Sequence, residues 1–166
     1  MRLLAITAAL AAALTSPAFA QGATAGGSGG AWYAGGGYTH YDLDQGNVGG
    51  VTGRLGYQFT PNIGAEAEAT FGVQDDDNIE LNHAWGVYGV GTLPVTENLN
   101  VFARAGWQQL DADGKNGFPD LSDEGAGYGA GVNWRMNNGF AIRGDYTRLD
   151  GDEDADTWSL SGVMSF

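Results

Sequence analysis

The 166-residue chain contains no cysteine, which excludes a disulfide scaffold, a thiolate nucleophile and cysteine-ligated zinc or iron–sulfur centres. Cations are scarce. Seven Lys+Arg stand against 20 Asp+Glu, for a formal charge of −13. Such a chain cannot neutralise a phosphate backbone, so nucleic acid is excluded as a partner. Imidazole is nearly missing too, the two histidines being His40 and His83. Neither has the neighbouring nucleophile and orienting group that a triad needs, so no catalytic residue is expected. Past residue 20 no apolar run reaches the roughly 20 residues of a transmembrane helix. A Gly-X-Y repeat is also lacking, so the 29 glycines do not build collagen. What remains is 43% apolar and 11% aromatic, too apolar for an acidic disordered tail, and its length suits one folded domain.

Residues 1–20 have the form of an export signal: Met1-Arg2, an apolar run from Leu3 to Leu14, then Ala18-Phe19-Ala20 as a small-x-small cleavage site. Residues 21–30 (QGATAGGSGG) read as a flexible Gly/Ser/Ala leader, which leaves 31–166 as the folded domain.

From Ala31 onward apolar residues recur at every second position, the period of a strand. In the segment after Pro61, Ile63, Ala65, Ala67, Ala69 and Phe71 share one face, opposed by Gly64, Glu66, Glu68, Thr70 and Gly72. Val51, Leu55, Tyr57 and Phe59 oppose Thr52, Arg54, Gly56 and Gln58, and Val101, Ala103, Ala105 and Trp107 oppose Asn100, Arg104, Gly106 and Gln108. The same alternation runs through Ala126–Met136, Phe140–Thr147 and Thr157–Phe166. Trp32–Tyr41 and Leu81–Leu93 carry aromatics on both parities, and their faces stay unassigned. Eight strands result, with no helix.

The connections alternate in chemistry. Thr60–Asn62, Pro94–Asn98 and Asn137–Gly139 are tight and almost uncharged, whereas Asp42–Asn47, Gln74–Glu80, Asp111–Glu124 and Asp150–Asp156 hold sixteen of the 20 acids. In an up-and-down meander every second connection lies at one end, so one end is trimmed and the other is long-looped and acidic. This asymmetry is that of an outer-membrane barrel. Only a closed barrel pairs every strand's backbone in lipid, and the Gly-rich polar faces suit a narrow lumen. A soluble sandwich would show water rather more Lys, Glu and Thr. The expected fold is therefore all-β: an eight-stranded antiparallel up-and-down transmembrane β-barrel.

Ala31-Trp32-Tyr33-Ala34-Gly35-Gly36-Gly37-Tyr38, Phe102-Ala-Arg-Ala-Gly106 and the closing Trp158-Ser-Leu-Ser-Gly-Val-Met-Ser-Phe166 resemble the small outer-membrane barrels of Gram-negative bacteria. These are the OmpA transmembrane domain, OmpX-like proteins and the porin-like outer membrane protein beta-barrel domain family. The resemblance implies a multi-pass barrel in the cell outer membrane, exported through its signal peptide, with Phe166 as assembly signal. It also implies outer-membrane lipid, lipopolysaccharide, periplasmic chaperones and the barrel assembly machinery as partners. No peptidoglycan-binding segment follows Phe166, so anchoring to the cell wall is not expected.

Two sets of residues invite a role. Arg54, Glu66, Glu68, Arg104, Arg135, Arg143 and Asp145 all fall on the inward parity. Buried charges require partners, so an internal salt-bridge network is expected. If the hairpin at Pro61 is tight, Arg54 lies opposite Glu68. Asp111, Asp113, Asp120, Asp123 and Glu124 form a candidate divalent-cation set, but Lys115 and Asn116 break EF-hand spacing and strands replace its helices. Weak Ca2+ or Mg2+ association around the acids is expected rather than a specific metal, and no other cofactor. The expected function is structural and interactional, without catalysis, in a monomer: membrane integrity, with acidic extracellular loops for cation or surface contacts. The alternative is a narrow porin-like channel for small solutes. An outer-membrane lipid-modifying enzyme is a weaker third reading, resting on His40 or His83.

Overall fold

Alternation of apolar and polar side chains along every segment demands a sheet with a different environment on each face, and a closed sheet supplies it. The computed structural model describes residues 30–43, 46–74, 79–114, 121–137, 139–151 and 155–166. They form β1 (Ala31–Leu43), β2 (Gly46–Thr60), β3 (Ile63–Gln74), β4 (Ile79–Pro94), β5 (Leu99–Gly114), β6 (Leu121–Asn137), β7 (Phe140–Asp150) and β8 (Ala155–Ser165). Each strand pairs antiparallel with its sequence neighbours, and β1 pairs with β8 to close an eight-stranded barrel. The proposed signal and leader lie outside the described residues, apart from Gly30.

Side chains at the trimmed end set the turns. Thr60 Oγ1 accepts hydrogen bonds from the backbone N–H groups of Asn62 (3.3 Å) and Ile63 (3.0 Å). Thr96 Oγ1 repeats the device with Asn98 (3.3 Å) and Leu99 (3.0 Å). In the turn between β6 and β7, Gly139 has a φ of 80°, which a side chain would disfavour. The backbone N–H of Phe166 donates to the carbonyl of Trp32 (2.9 Å) and fastens the last residue to β1.

The barrel is apolar outside and polar inside. All five tryptophans face outward, and with Leu55, Ile63, Phe71 and Leu160 they are 43–65% exposed. Arg54, Glu66, Arg104, Arg143, Asp145 and Thr147 point inward and are buried. An apolar belt of this extent is unstable against water and is what a bilayer requires.

The strands whose faces the sequence left open now have them. In β1, Trp32 and Tyr38 face outward while Tyr33 and Tyr41 turn inward, so this strand places aromatics on both sides. In β4, Trp85 faces out and Tyr88 in, and pairing with β5 skips Asn82 between Leu81 and His83. This bulge reverses the parity, so that Leu81 and Ala84 both point inward. Inward glycines make room for the inward tyrosines: a Cβ at Gly86 would lie 2.8 Å from the Tyr88 ring.

Strands also run further into the acidic end than expected. Asp42, Glu80, Asp111, Asp113, Asp123, Glu124, Asp150 and Asp156 lie within strands. The β5–β6 ladder, for example, continues to Ala112 opposite Leu121. Antiparallel pairing needs no apolar alternation once a hairpin leaves the apolar belt, so charge pattern alone misplaces these boundaries. Asp44, Asp75, Asp76, Asp77, Asp120, Asp152, Glu153 and Asp154 lie outside the described residues.

Candidate functional site

The inward side chains form successive tiers along the lumen. At its centre are three arginines and three acids from four strands: Arg54 (β2), Glu66 and Glu68 (β3), Arg104 (β5), and Arg143 and Asp145 (β7). The tight hairpin at Pro61 brings Arg54 opposite Glu68 in the β2–β3 ladder, with Arg54 Nη2 3.4 Å from Glu68 Oε2. Arg54 Nη1 also donates to Asp145 Oδ1 (2.8 Å) and Nη2 to Ser159 Oγ (3.0 Å). Arg143 grips Glu66 with both terminal nitrogens (2.7 and 3.2 Å) and Asp145 through Nε (3.0 Å). Arg104 donates to Glu68 Oε2 (2.7 Å), Glu66 Oε1 (3.2 Å) and Thr147 Oγ1 (2.6 and 2.8 Å). Glu66 gains a further hydrogen bond from the Tyr33 hydroxyl at 2.9 Å.

The six formal charges cancel. Side-chain exposure across the six is 0–8%, which only a matched and hydrogen-bonded set tolerates. Arg104 and Arg143 also lie over the rings of Tyr88 and Phe102, at 4.3 and 3.9 Å from the centroids.

Arg135 does not join this cluster. It lies two residues beyond Asn133, the β6 partner of Arg143, and therefore sits at the trimmed mouth, exposed. No ion pair holds it among the described residues. The expected network thus loses one member, because inward parity alone says nothing of depth along the barrel axis.

Toward the acidic end comes a tier of hydroxyls. Thr52 Oγ1 is 2.6 Å from Thr39 Oγ1 and 2.7 Å from Thr70 Oγ1, and the Tyr41 hydroxyl donates to Thr70 Oγ1 at 3.2 Å. Beyond it the lumen turns apolar, with Tyr41, Leu43, Val48, Leu81, Leu110 and Leu149 in one buried cluster. Their exposure of 0–6% makes this a dry plug. The Gly-rich polar faces expected of the lumen do not extend to this plug. Its signal was parity: Leu110 continues the inward face of Arg104 and Gln108, and Leu149 continues that of Arg143, Asp145 and Thr147.

Among the candidate cation ligands, Asp111 Oδ2 lies 3.2 Å from His83 Nε2 on the outer face, and Glu124 is exposed opposite Gln109. Asp120 and the side chains of Asp113 and Asp123 lie outside the described residues. Among the described residues no three His, Cys, Asp or Glu side chains converge on a metal position. His40 is the register partner of Trp158 on β8.

The family described as "Outer membrane protein beta-barrel domain" matches residues 6–166. No curated protein sequence matches the chain. Among solved structures, the fold is similar to that of Ail from Yersinia pestis, in complex with the heparin analogue sucrose octasulfate (20% identity, 82% of this chain and 97% of that one, TM-score 0.57). It is also similar to the N-terminal β-barrel domain of Pseudomonas aeruginosa OprF (14%, 81% and 97%, 0.63) and to OprG of the same organism (9%, 83% and 96%, 0.62). At these identities the likeness is one of fold.

Proposed function

The chain belongs to the outer membrane protein beta-barrel domain family, and from that membership we propose that it is a closed, integral outer-membrane protein whose role is structural and interactional. Its apolar belt engages membrane lipid, and its acidic strand ends and loops meet lipopolysaccharide, cations or other surfaces outside the cell. Weak Ca2+ or Mg2+ association there offsets repulsion between these acids and anionic headgroups. Neither a resident cofactor nor catalysis is part of this role. The barrel acts as a monomer, delivered by its signal peptide, periplasmic chaperones and the assembly machinery.

One observation carries the reading against a porin-like channel. The lumen is obstructed twice in series, by the neutral six-charge cluster and by the apolar plug of Leu43, Val48, Leu81, Leu110 and Leu149. An ion crossing the plug would shed its hydration without a polar partner. Planar-bilayer recording of the purified barrel is the test. The expected trace shows no discrete steps, and reproducible unitary conductance in the wild type would establish the channel instead.

A further inference from the structure

Both obstructions lie at the centre of the lumen and toward the acidic end, which leaves the trimmed side open. Between the ion cluster and the trimmed mouth lies a cavity of about 400 Å³ that opens at that mouth, within the ordinary range of about 300–1,000 Å³ for small-molecule sites. Its polar lining includes Gln58, Asn100, Asn133 and Arg135, and Val90 and Val163 supply apolar wall. Arg143 also reaches it, but its guanidinium is committed to Glu66 and Asp145. Among the described residues no acid lines the cavity.

Arg135 therefore brings a positive charge from outside the neutral cluster to a cup of neutral amides, with Glu97 in the neighbouring Pro94–Asn98 turn as the acid at the same end. Nothing about closing the barrel requires a cation there, because the central cluster is neutral without it. A guanidinium fork fits carboxylate and phosphate alike, but the one cation of this cup balances the single charge of a carboxylate and leaves a phosphate dianion half neutralised. The apolar wall adds room for a short hydrocarbon body.

We propose that this cup is a binding site for a small carboxylate with a short apolar body, of which the free C-terminus of a peptide is the pattern, held by Arg135 with Asn100 and Asn133. The plug closes the acidic side, so ligand enters and leaves through the trimmed mouth. In this family that mouth faces the periplasm.

The test uses the full mature barrel, isotope-labelled in lipid nanodiscs, with N-acetyl-dialanine as probe and its C-terminal amide and acetate as separate arms. Saturable amide shifts at Asn100, Asn133 and Arg135 are expected with the dipeptide acid, tighter than with acetate, and none with the dipeptide amide. Arg135→Gln should weaken binding about tenfold or more, the usual scale for losing a charge-assisted pair. Arg135 is exposed and outside the ion cluster, so heat-modifiable gel mobility should show that this variant folds. Ala141→Phe, which fills the cup and leaves the guanidinium in place, should weaken binding as well. Equal response to acid and amide, or undiminished binding in Arg135→Gln, would overturn the site. Equal affinity for acetate and dipeptide would remove the apolar half of the proposal. Conductance is not read in this experiment, so its failure is distinct from failure of the closed-barrel reading.

Discussion

Glu66→Gln is the most informative single change. Glu66 is fully buried and accepts from Arg143 at 2.7 and 3.2 Å, from Arg104 at 3.2 Å and from Tyr33 at 2.9 Å. Two unit charges about 4 Å apart attract by about 4 kcal/mol at an effective dielectric constant of about 20. Each arginine thus contributes on that scale, against the desolvation of the ions. The glutamine keeps the shape and one acceptor oxygen but turns an NH2 toward a guanidinium, and it leaves the cluster with one uncompensated positive charge. Breaking a buried pair from one side costs about 3–5 kcal/mol. We expect the variant barrel to lose about that much in urea unfolding, followed by tryptophan fluorescence in micelles. The urea dependence should stay unchanged, because the surface exposed on unfolding is the same. Glu66→Gln combined with Arg143→Met restores neutrality and should recover about 1–3 kcal/mol relative to additive losses. A Glu66→Gln barrel within about 1 kcal/mol of wild type, with no recovery in the double variant, would refute the claim that cluster neutrality holds the lumen together.

Other changes probe other tiers. Leu110→Ala opens a void in the plug where Leu110 is 0% exposed, and should lower unfolding stability by about 2–5 kcal/mol. Gly86→Leu drives a side chain into the Tyr88 ring and should abolish the heat-modifiable folded band on gels, whereas Gly91→Leu, whose Cβ would meet nothing within 4 Å, should retain it. Arg148→Gln removes a half-exposed 3.2 Å pair with Asp156 and should change stability by less than about 1 kcal/mol in the same urea assay. Deleting Phe166 removes the N–H that donates to Trp32 and should reduce recovery of the barrel in outer-membrane fractions. Unchanged recovery would detach that residue from assembly.

The fold was legible wherever one side-chain class kept to one parity. From Ile63 to Phe71 and from Val51 to Phe59 the alternation is nearly unbroken, and there strand, face and even the Arg54–Glu68 register follow from the sequence. It failed in β1 and β4 for a physical reason. A narrow barrel fills its lumen with tyrosine, whose ring is apolar and whose hydroxyl still finds a partner, as Tyr88 does on Gln108 at 2.5 Å. Tyrosine therefore belongs to both faces, and parity cannot place it. The bulge at Asn82 then shifts the count by one. Arg135 fell outside the cluster because alternation reports which way a residue points and not how deep it sits. The plug was readable in principle from Leu110 and Leu149, but the surrounding acids suggested that the strands had already ended.

The central charges tie together strands that lie far apart in the chain. Arg54, Glu66 and Glu68 lie on the β2–β3 hairpin, Arg104 on β5, and Arg143 with Asp145 on β7. β2 and β3 alone hold one surplus negative charge, and β5 carries the arginine that cancels it. Glu66 takes its second arginine, Arg143, from β7. The six groups find all their partners only when β2, β3, β5 and β7 are present together, so the cluster is satisfied by the closed barrel and by no shorter run of its strands.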